Sequence, residues 1–220
     1  MHSHNYLYEV AVFLVRLYSN LMLKMDVFWH ASLPEGPKIF VANHPSATDP
    51  FLIHLLASEG MSVLISGSAF AFPLFGLYLR HAGQIPVVPG QGAGAIEKAR
   101  CLLDQGHSVG IFPEGRFSPR DGGFRKPHAG VAHLALLTGA PVIPVGIYLP
   151  RDRCLKVSTH HTGKKTTGFW YLFGPYGITV GKPIWFKGDT KSIDQIQFVA
   201  ENIMKWIRSL ALESEIRINA

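Results

Sequence analysis

The chain has 220 residues, 47% hydrophobic and 16% charged, with a formal charge of +6 and a pI of about 9.4. That length supports one sizeable core and is short for two, and the lack of repeats or low-complexity tracts excludes solenoids and disordered linkers. A chain both basic and poorer in charge than the roughly 25% usual for soluble domains points to an acidic partner, either nucleic acid or an anionic membrane surface.

The N-terminal stretch favours the membrane. Residues 5–25, NYLYEVAVFLVRLYSNLMLKM, are apolar enough to resemble a spanning helix. Wound at about 100° per residue, however, Glu9, Arg16, Ser19, Asn20 and Lys24 fall on one narrow stripe. Burying Arg16 at a bilayer centre would cost roughly 2.5–3.5 kcal/mol, whereas lying in the interface keeps the stripe wet. Glu9 and Arg16 also interrupt the apolar run, and no small-residue cleavage site follows, which argues against a signal peptide. The expectation is an amphipathic, peripherally anchoring helix within residues 1–30 and a separate domain over 31–220, with packing of the helix on the protein's own core as the alternative. Cys101 and Cys154 show no metal spacing and no disulfide framework, which fits a reducing compartment and the cytoplasmic face of a membrane.

Beyond residue 30 the chain alternates strands and helices. KIFVAN (38–43) predicts a buried strand and PFLIHLLASEG (50–60) a helix closed by Gly60. SVLISG is a further strand and FPLFGLYLRHAG a short helix, and AFAFPLFGLYL (69–79) suits either an acyl groove or plain core. GQIPVV is a strand that Pro86 confines to an edge or an end. GAIEKARCLLDQG is a helix stopped by Gly106. Strand HSVGIFP, a polar loop (114–127), helix GVAHLALLTG and strand PVIPVGIYL follow. Residues 155–186 predict two or three more strands, and SIDQIQFVAENIMKWIRSLALES a C-terminal amphipathic helix. The adjacent His160 and His161 have no third ligand at metal spacing, so a strand or loop pair is expected and no metal site. The fold class is α/β, a single domain with a largely parallel central sheet flanked by helices, preceded by the N-terminal amphipathic helix.

Sites in such sheets form beyond the carboxyl ends of strands, where His44 and Glu114 both fall. In VANHPSATDPF (41–51), His44 and Asp49 are roughly 140° apart on a helix, so only a turn brings them together. Pro45 and Pro50 push His44 and Asp49 toward extended geometry, and Pro50 suits the first helical position. Asp49 is therefore an expected N-cap, a sufficient folding reason for the aspartate but none for the histidine. A second carboxylate oxygen could hold an imidazole N–H and leave Nε2 as a base. In the polar loop, Glu114 and Gly115 follow an apolar strand, and Arg116, Ser118, Arg120, Arg125 and Lys126 crowd behind them. Such a loop either binds phosphate or is an ordinary solvated surface loop.

Together, NHPSATDP and FPEGR change this reading, because the chain here resembles the glycerolipid (1-acyl-sn-glycerol-3-phosphate, or lysophosphatidic acid) acyltransferase family. Four blocks carry the resemblance between about residues 38 and 150: NHPSATD, GQIPVV, FPEGR with Ser118, and PVIPVGI (141–147). The resemblance implies acyl transfer from acyl-CoA or acyl carrier protein to the hydroxyl of a lysophospholipid, with phosphatidic acid the expected product. His44 would be the general base, oriented by Asp49, and the substrate would supply the nucleophile. Head-group binding carries over to Glu114, Gly115, Arg116 and, more weakly, Ser118. No metal, cofactor, covalent intermediate or nucleic acid is implied. Two departures stand out: Arg116 follows Gly115 with no intervening Thr, and the second block ends in Val88, Pro89 and Gly90 where a basic residue often contacts phosphate. Either Arg125 or Lys126 replaces that residue, or the acceptor is another lyso-lipid or glycerol 3-phosphate.

Two other classes compete. GQGAGA (90–95) matches G-x-G-x-x-A between a predicted strand and helix, with Glu114 about twenty residues on, so an NAD-dependent oxidoreductase using Gly90, Gly92 and Ala95 is one. Glycines that merely shape a loop and helix start are the simpler account. A non-catalytic membrane-surface module is the other.

Overall fold

The computed structural model describes residues 6–161 and 164–220. Helix α1 (Tyr6–Met22) runs directly into strand β1 (Leu23–Trp29), followed by β2 (Ile39–Ala42), the short helix α2 (Asp49–Leu52), β3 (Met61–Ser66) and α3 (Pro73–His81). Then come β4 (Ile85–Val87), α4 (Gly92–Asp104), β5 (Ser108–Ile111), α5 (Gly130–Thr138), β6 (Val142–Tyr148), β7 (Leu155–His161), β8 (Lys164–Trp170), β9 (Gly174–Val180) and α6 (Ile193–Asn219). Seven strands form one sheet in the order β1-β9-β6-β2-β5-β3-β4, and β7 and β8 form a separate antiparallel hairpin. Only the β6–β9 pairing within the sheet is antiparallel. The largely parallel α/β architecture is the expected one, and β4 with Pro86 lies at an edge.

Alternation within the strands makes the layers. Ile39 and Val41 of β2 join Val109 and Ile111 of β5 beneath α4, α5 and α6. Phe40 and Ala42 face the opposite side, with Leu52, Ile53, Ile143, Val145, Tyr171 and Tyr176. Burial on both faces explains why these strands are continuous apolar runs. Helix α6 lies directly on β6 because Gly146 has no side chain; a β-carbon there would collide with the backbone of Leu210 and Ala211. Ser192 caps α6, its hydroxyl accepting from the Gln195 N–H at 3.4 Å.

Several boundaries differ from expectation. The helix within residues 5–25 ends at Met22, because Leu23, Met25 and Val27 alternate with Lys24 and Asp26 at period two and pack into the core. Leu23–Trp29 pairs in parallel with Gly174–Val180, so these residues belong to the sheet domain and not to an anchor extending to residue 30. Helix α2 is one turn, continued by a 3-10 turn over Ile53–Leu56, and ends before Gly60 because Ala57 is extended. In the 69–79 segment Phe70 and Leu79 are core, whereas Leu74 is 85% and Leu77 52% exposed. The side chains of His160 and His161 lie outside the described residues.

Helix α1 has three faces. Val15 and Tyr18 pack on the core, and Ser19, expected on the wet stripe, is buried with its hydroxyl on the Arg16 carbonyl. Glu9, Arg16 and Asn20 line an exposed polar edge. Val10, Phe13, Leu14, Leu17 and Leu21 project outward, from 44% to 73% exposed. Among the described residues, no helix is long and apolar enough to cross a membrane.

Candidate active site

Strands β2 and β5 are parallel neighbours in which Val41 pairs with Ile111. His44 and Glu114 each follow three residues later, so the pairing delivers both loops to one rim. Asn43 extends the sheet past its last backbone pair: its side-chain amide donates to the Ile147 carbonyl and accepts from the Ile147 N–H, each at 2.7 Å.

The turn from residue 44 to 49 folds back so that His44 Nδ1 donates to Asp49 Oδ2 at 3.0 Å. A carboxylate only accepts, so the proton belongs on Nδ1 and the lone pair on Nε2. Asp49 is fully buried while the His44 side chain is 14% exposed, which leaves the edge away from Asp49 to meet a ligand. The imidazole is packed between Phe112, stacked at 4.4 Å, and Phe117, tilted at 4.7 Å.

Asp49 does not cap a helix. It is itself the first residue of α2, Thr48 precedes it without a side-chain cap, and both carboxylate oxygens have other partners. Oδ2 also accepts from the Ser46 N–H at 2.7 Å, and Oδ1 accepts from the Tyr176 hydroxyl at 2.8 Å. Burial and the neighbouring Asp49 charge push the Tyr176 phenol well above its ordinary range, so it stays a donor. Ser46 and Thr48 tie the turn to the end of β8 and the residue after it: Ser46 Oγ donates to the Phe169 carbonyl at 3.1 Å and Thr48 Oγ1 to the Tyr171 carbonyl at 2.9 Å.

The second loop braces the first. Glu114 is 1% exposed. Its Oε1 accepts from the His44 N–H at 3.2 Å and the Ser118 hydroxyl at 2.5 Å, and its Oε2 from the Arg125 N–H at 2.7 Å. The Ser118 N–H donates to the His44 carbonyl at 2.8 Å, so both backbone groups of His44 are held. Gly115, at φ +66°, makes the turn between Glu114 and Arg116, where a β-carbon would meet the His128 ring. Glu114 and Ser118, expected to meet substrate, thus face His44. Arg116 and Lys126 are exposed and have no ion pair or hydrogen bond among the described residues. Arg125 is exposed, with Nε donating to the Phe117 carbonyl at 2.9 Å.

The glycine-rich GQGAGA segment does open a helix after β4, but the carboxylate expected to serve it is engaged elsewhere. Glu114, the carboxylate that would take the ribose, is buried on the other loop. The cleft of about 290 Å³ between β4 and α4, lined by Ile85, Val88, Gln91 and Lys98 among others, contains no residue of the His44–Asp49 turn. Among the described residues no cluster of three or more His, Cys, Asp or Glu could hold a metal.

A family model described as Acyltransferase matches residues 24–148, from β1 through both loops to the end of β6. The chain belongs to the acyltransferase family. A 1-acyl-sn-glycerol-3-phosphate acyltransferase from Limnanthes douglasii is 32% identical over 162 residues, 72% of this chain and 53% of that protein. A lyso-ornithine lipid O-acyltransferase from Pseudomonas aeruginosa is 33% identical over 141 residues, 63% of this chain and 53% of that protein. The chain thus spans about half the length of these curated relatives. The crystal structure of the 1-acyl-sn-glycerophosphate (LPA) acyltransferase PlsC from Thermotoga maritima has the same fold, with a TM-score of 0.64 and 20% identity over 98% of this chain and 83% of that one.

Around His44 and Asp49 the residues that sequence reasoning missed are Tyr176, Ser46, Phe112 and Phe117. Ser46 and Phe112 lie inside the recognised blocks NHPSATD and FPEGR and were open to inference. Tyr176 is 127 residues from Asp49 and carried no local signal.

Proposed function

We propose that the protein transfers a fatty acyl group from acyl-CoA or acyl carrier protein to the hydroxyl of a lysophospholipid, with lysophosphatidic acid as acceptor and phosphatidic acid as product. The observation that carries this reading is the His44–Asp49 pair, with its proton placed on Nδ1 by a buried carboxylate. His44 Nε2 takes the proton of the acceptor hydroxyl as its oxygen attacks the thioester carbonyl. The tetrahedral intermediate collapses, the carbon–sulfur bond breaks, and the proton passes from His44 to the departing thiolate. A base of this kind contributes about 10²–10⁴-fold. Asp49 balances the imidazolium charge, and Phe112 and Phe117 keep the ring in plane. Arg116 and Lys126, unpaired at the rim, supply charge for the head group.

The relative that acylates a lyso-ornithine lipid, together with the absence of a cation at Val88, Pro89 and Gly90, supports a second acceptor class without a phosphomonoester. The outward apolar face of α1 supports a peripheral position on the cytoplasmic leaflet, with the polar edge of Arg16 and Asn20 at head-group level. The deciding experiment follows thiol release from acyl-CoA and from acylated carrier protein across lysophosphatidate, lyso-ornithine lipid and glycerol 3-phosphate, for wild type and His44→Ala. Release that depends on acceptor and on His44 is expected. Failure of wild type with every pair would end this reading, and release that survives in His44→Ala would remove the base.

A further inference from the structure

Resting on the acyl-transfer reading, we propose that Arg120 grips the anionic head group of the lyso-acceptor, and that Arg151 positions it to do so. The second block ends without a cation, and the loop must provide one. Arg125 is poorly placed for this, because its N–H braces Glu114 and its Nε is bound to the Phe117 carbonyl. Lys126 adds charge at the rim but, without a partner among the described residues, has nothing to orient it.

Arg120 is oriented by an aromatic ring. Its guanidinium carbon lies 4.7 Å from the centre of the Phe169 ring. Stacking fixes the plane of a guanidinium while leaving other N–H groups free for a bidentate anion. No salt bridge engages Arg120 among the described residues, and the side chain is exposed. Its platform belongs to the active site. The Phe169 ring meets Phe117 edge-on at 5.8 Å, and Phe117 lies against the imidazole of His44. The Phe169 carbonyl also accepts from the Ala47 N–H at 2.7 Å, inside the His44–Asp49 turn.

Arg151 closes the turn that carries Arg120. Its Nη1 donates to the carbonyls of Pro119 and Gly123, the two ends of the segment PRDGG. Burial weakens its hold on its proton, the charges of Glu114, Asp49 and Glu215 strengthen it, and Arg120 opposes it, so Arg151 lies within electrostatic reach of the Asp49 and Glu114 carboxylates and of the Arg120 guanidinium. Two like charges near each other at the rim are complementary to a phosphate or carboxylate between them.

The test uses the full chain, with Arg120→Ala and Arg120→Lys, on lysophosphatidate, lyso-ornithine lipid and monoacylglycerol of one chain length. The expected result for Arg120→Ala is a KM raised about 10–100-fold for the anionic acceptor that wild type uses. The turnover number and the donor KM stay within about threefold, monoacylglycerol transfer is unchanged, and Arg120→Lys recovers part of the loss. Loss with lysophosphatidate assigns the site to phosphate, and loss with lyso-ornithine lipid to carboxylate. Equal loss on all three acceptors, or a rise in the donor KM instead, overturns the proposal. If wild type acylates none of them, the acyl-transfer reading fails by itself. Calorimetric titration with sn-glycerol 3-phosphate then decides on Arg120: binding about tenfold weaker in Arg120→Ala supports it, and equal binding or none in wild type overturns it.

Discussion

The Tyr176 phenol donates a 2.8 Å hydrogen bond to Asp49 Oδ1 across 127 residues of chain, and both side chains are fully buried. Tyr176→Phe would leave one oxygen of a buried carboxylate without its donor, at a cost of about 1–3 kcal/mol. The His44–Asp49 bond uses the other oxygen, so its geometry survives. The expected outcome is a lower urea midpoint for Tyr176→Phe with only a modest loss of turnover, measured on the same preparation. Loss of turnover without loss of stability would instead place Tyr176 in the chemistry.

Asp49→Asn tests the charge. The amide oxygen can keep the Ser46 N–H and His44 Nδ1–H while its NH₂ donates to the Tyr176 oxygen, so the shape and the tautomer hold but the negative charge that balances the imidazolium is gone. Loss of up to about 10⁴-fold in turnover is expected, comparable to that of His44→Ala. Neither variant touches the outward face of α1, so both are expected to retain the vesicle binding of wild type in a flotation assay.

Glu114→Gln tests the brace. The Glu114 carboxylate receives N–H groups from His44 and Arg125 and the hydroxyl of Ser118. An amide nitrogen would face at least one of these donors, leaving it buried and unpaired. We expect about 1–3 kcal/mol lower stability and a fall in turnover larger than any rise in acceptor KM, because His44 moves while Arg116 and Arg120 stay. A rise confined to KM would return Glu114 to head-group binding.

How far these relationships were legible in sequence depends on how local they are. Strand β2 and its loop could be read, because apolar alternation and two prolines are local signals, and the parallel sheet that aligns His44 with Glu114 follows from strand–helix alternation. The role of Asp49 as a cap could be read but was wrong: a DP pair suits a cap, and only the approach of Tyr176 and the Ser46 N–H shows where the oxygens go. Strand β1 was hidden for a similar reason. Leu23, Met25 and Val27 continue an apolar helix without a break, and their strand conformation comes from pairing with β9, some 150 residues away. Likewise Ser19 fitted a polar stripe, yet its hydroxyl is satisfied by the Arg16 carbonyl, which lets that face enter the core.

Acid sensitivity is expected at the junction of α1 with the body. The Met61 N–H donates to the Tyr8 hydroxyl at 3.0 Å, and that hydroxyl lies 3.3 Å from His54 Nδ1. Burial pushes His54 down to about 4, below its ordinary value of 6.5. The unfolded chain therefore binds this proton more readily, so the contribution of neutral His54 is complete above about pH 6.5 and is lost as pH falls toward 4. The loss reaches up to about 2–3 kcal/mol by roughly pH 4.5. His54→Gln keeps an acceptor for Tyr8 without titrating. The fall in unfolding free energy between neutral and acid pH should be smaller for the variant by about that amount, and parallel curves would contradict the assignment.

The outward face of α1 makes the membrane proposal measurable without disturbing the fold. Phe13 is 64% and Leu17 44% exposed, one turn apart on a surface that also carries Val10, Leu14 and Leu21. Fully burying such a side chain contributes roughly 1.5–3 kcal/mol, so Phe13→Ser with Leu17→Ser should weaken partition into vesicles by about 10-fold or more. Neither side chain packs on the core, so the melting temperature and the thiol release with a micellar acceptor should hold. Exposed Arg16 and Lys24 add about 1 kcal/mol each near an anionic leaflet. Wild type should therefore bind vesicles containing phosphatidylglycerol better than phosphatidylcholine vesicles, and salt at about 0.5 M should narrow that gap. The double variant should lose binding to both vesicle types. If it sediments with vesicles as well as wild type does, the outward face of α1 is not the lipid contact, and the apolar side chains of Leu74 and Leu77 on α3 become the surface to test.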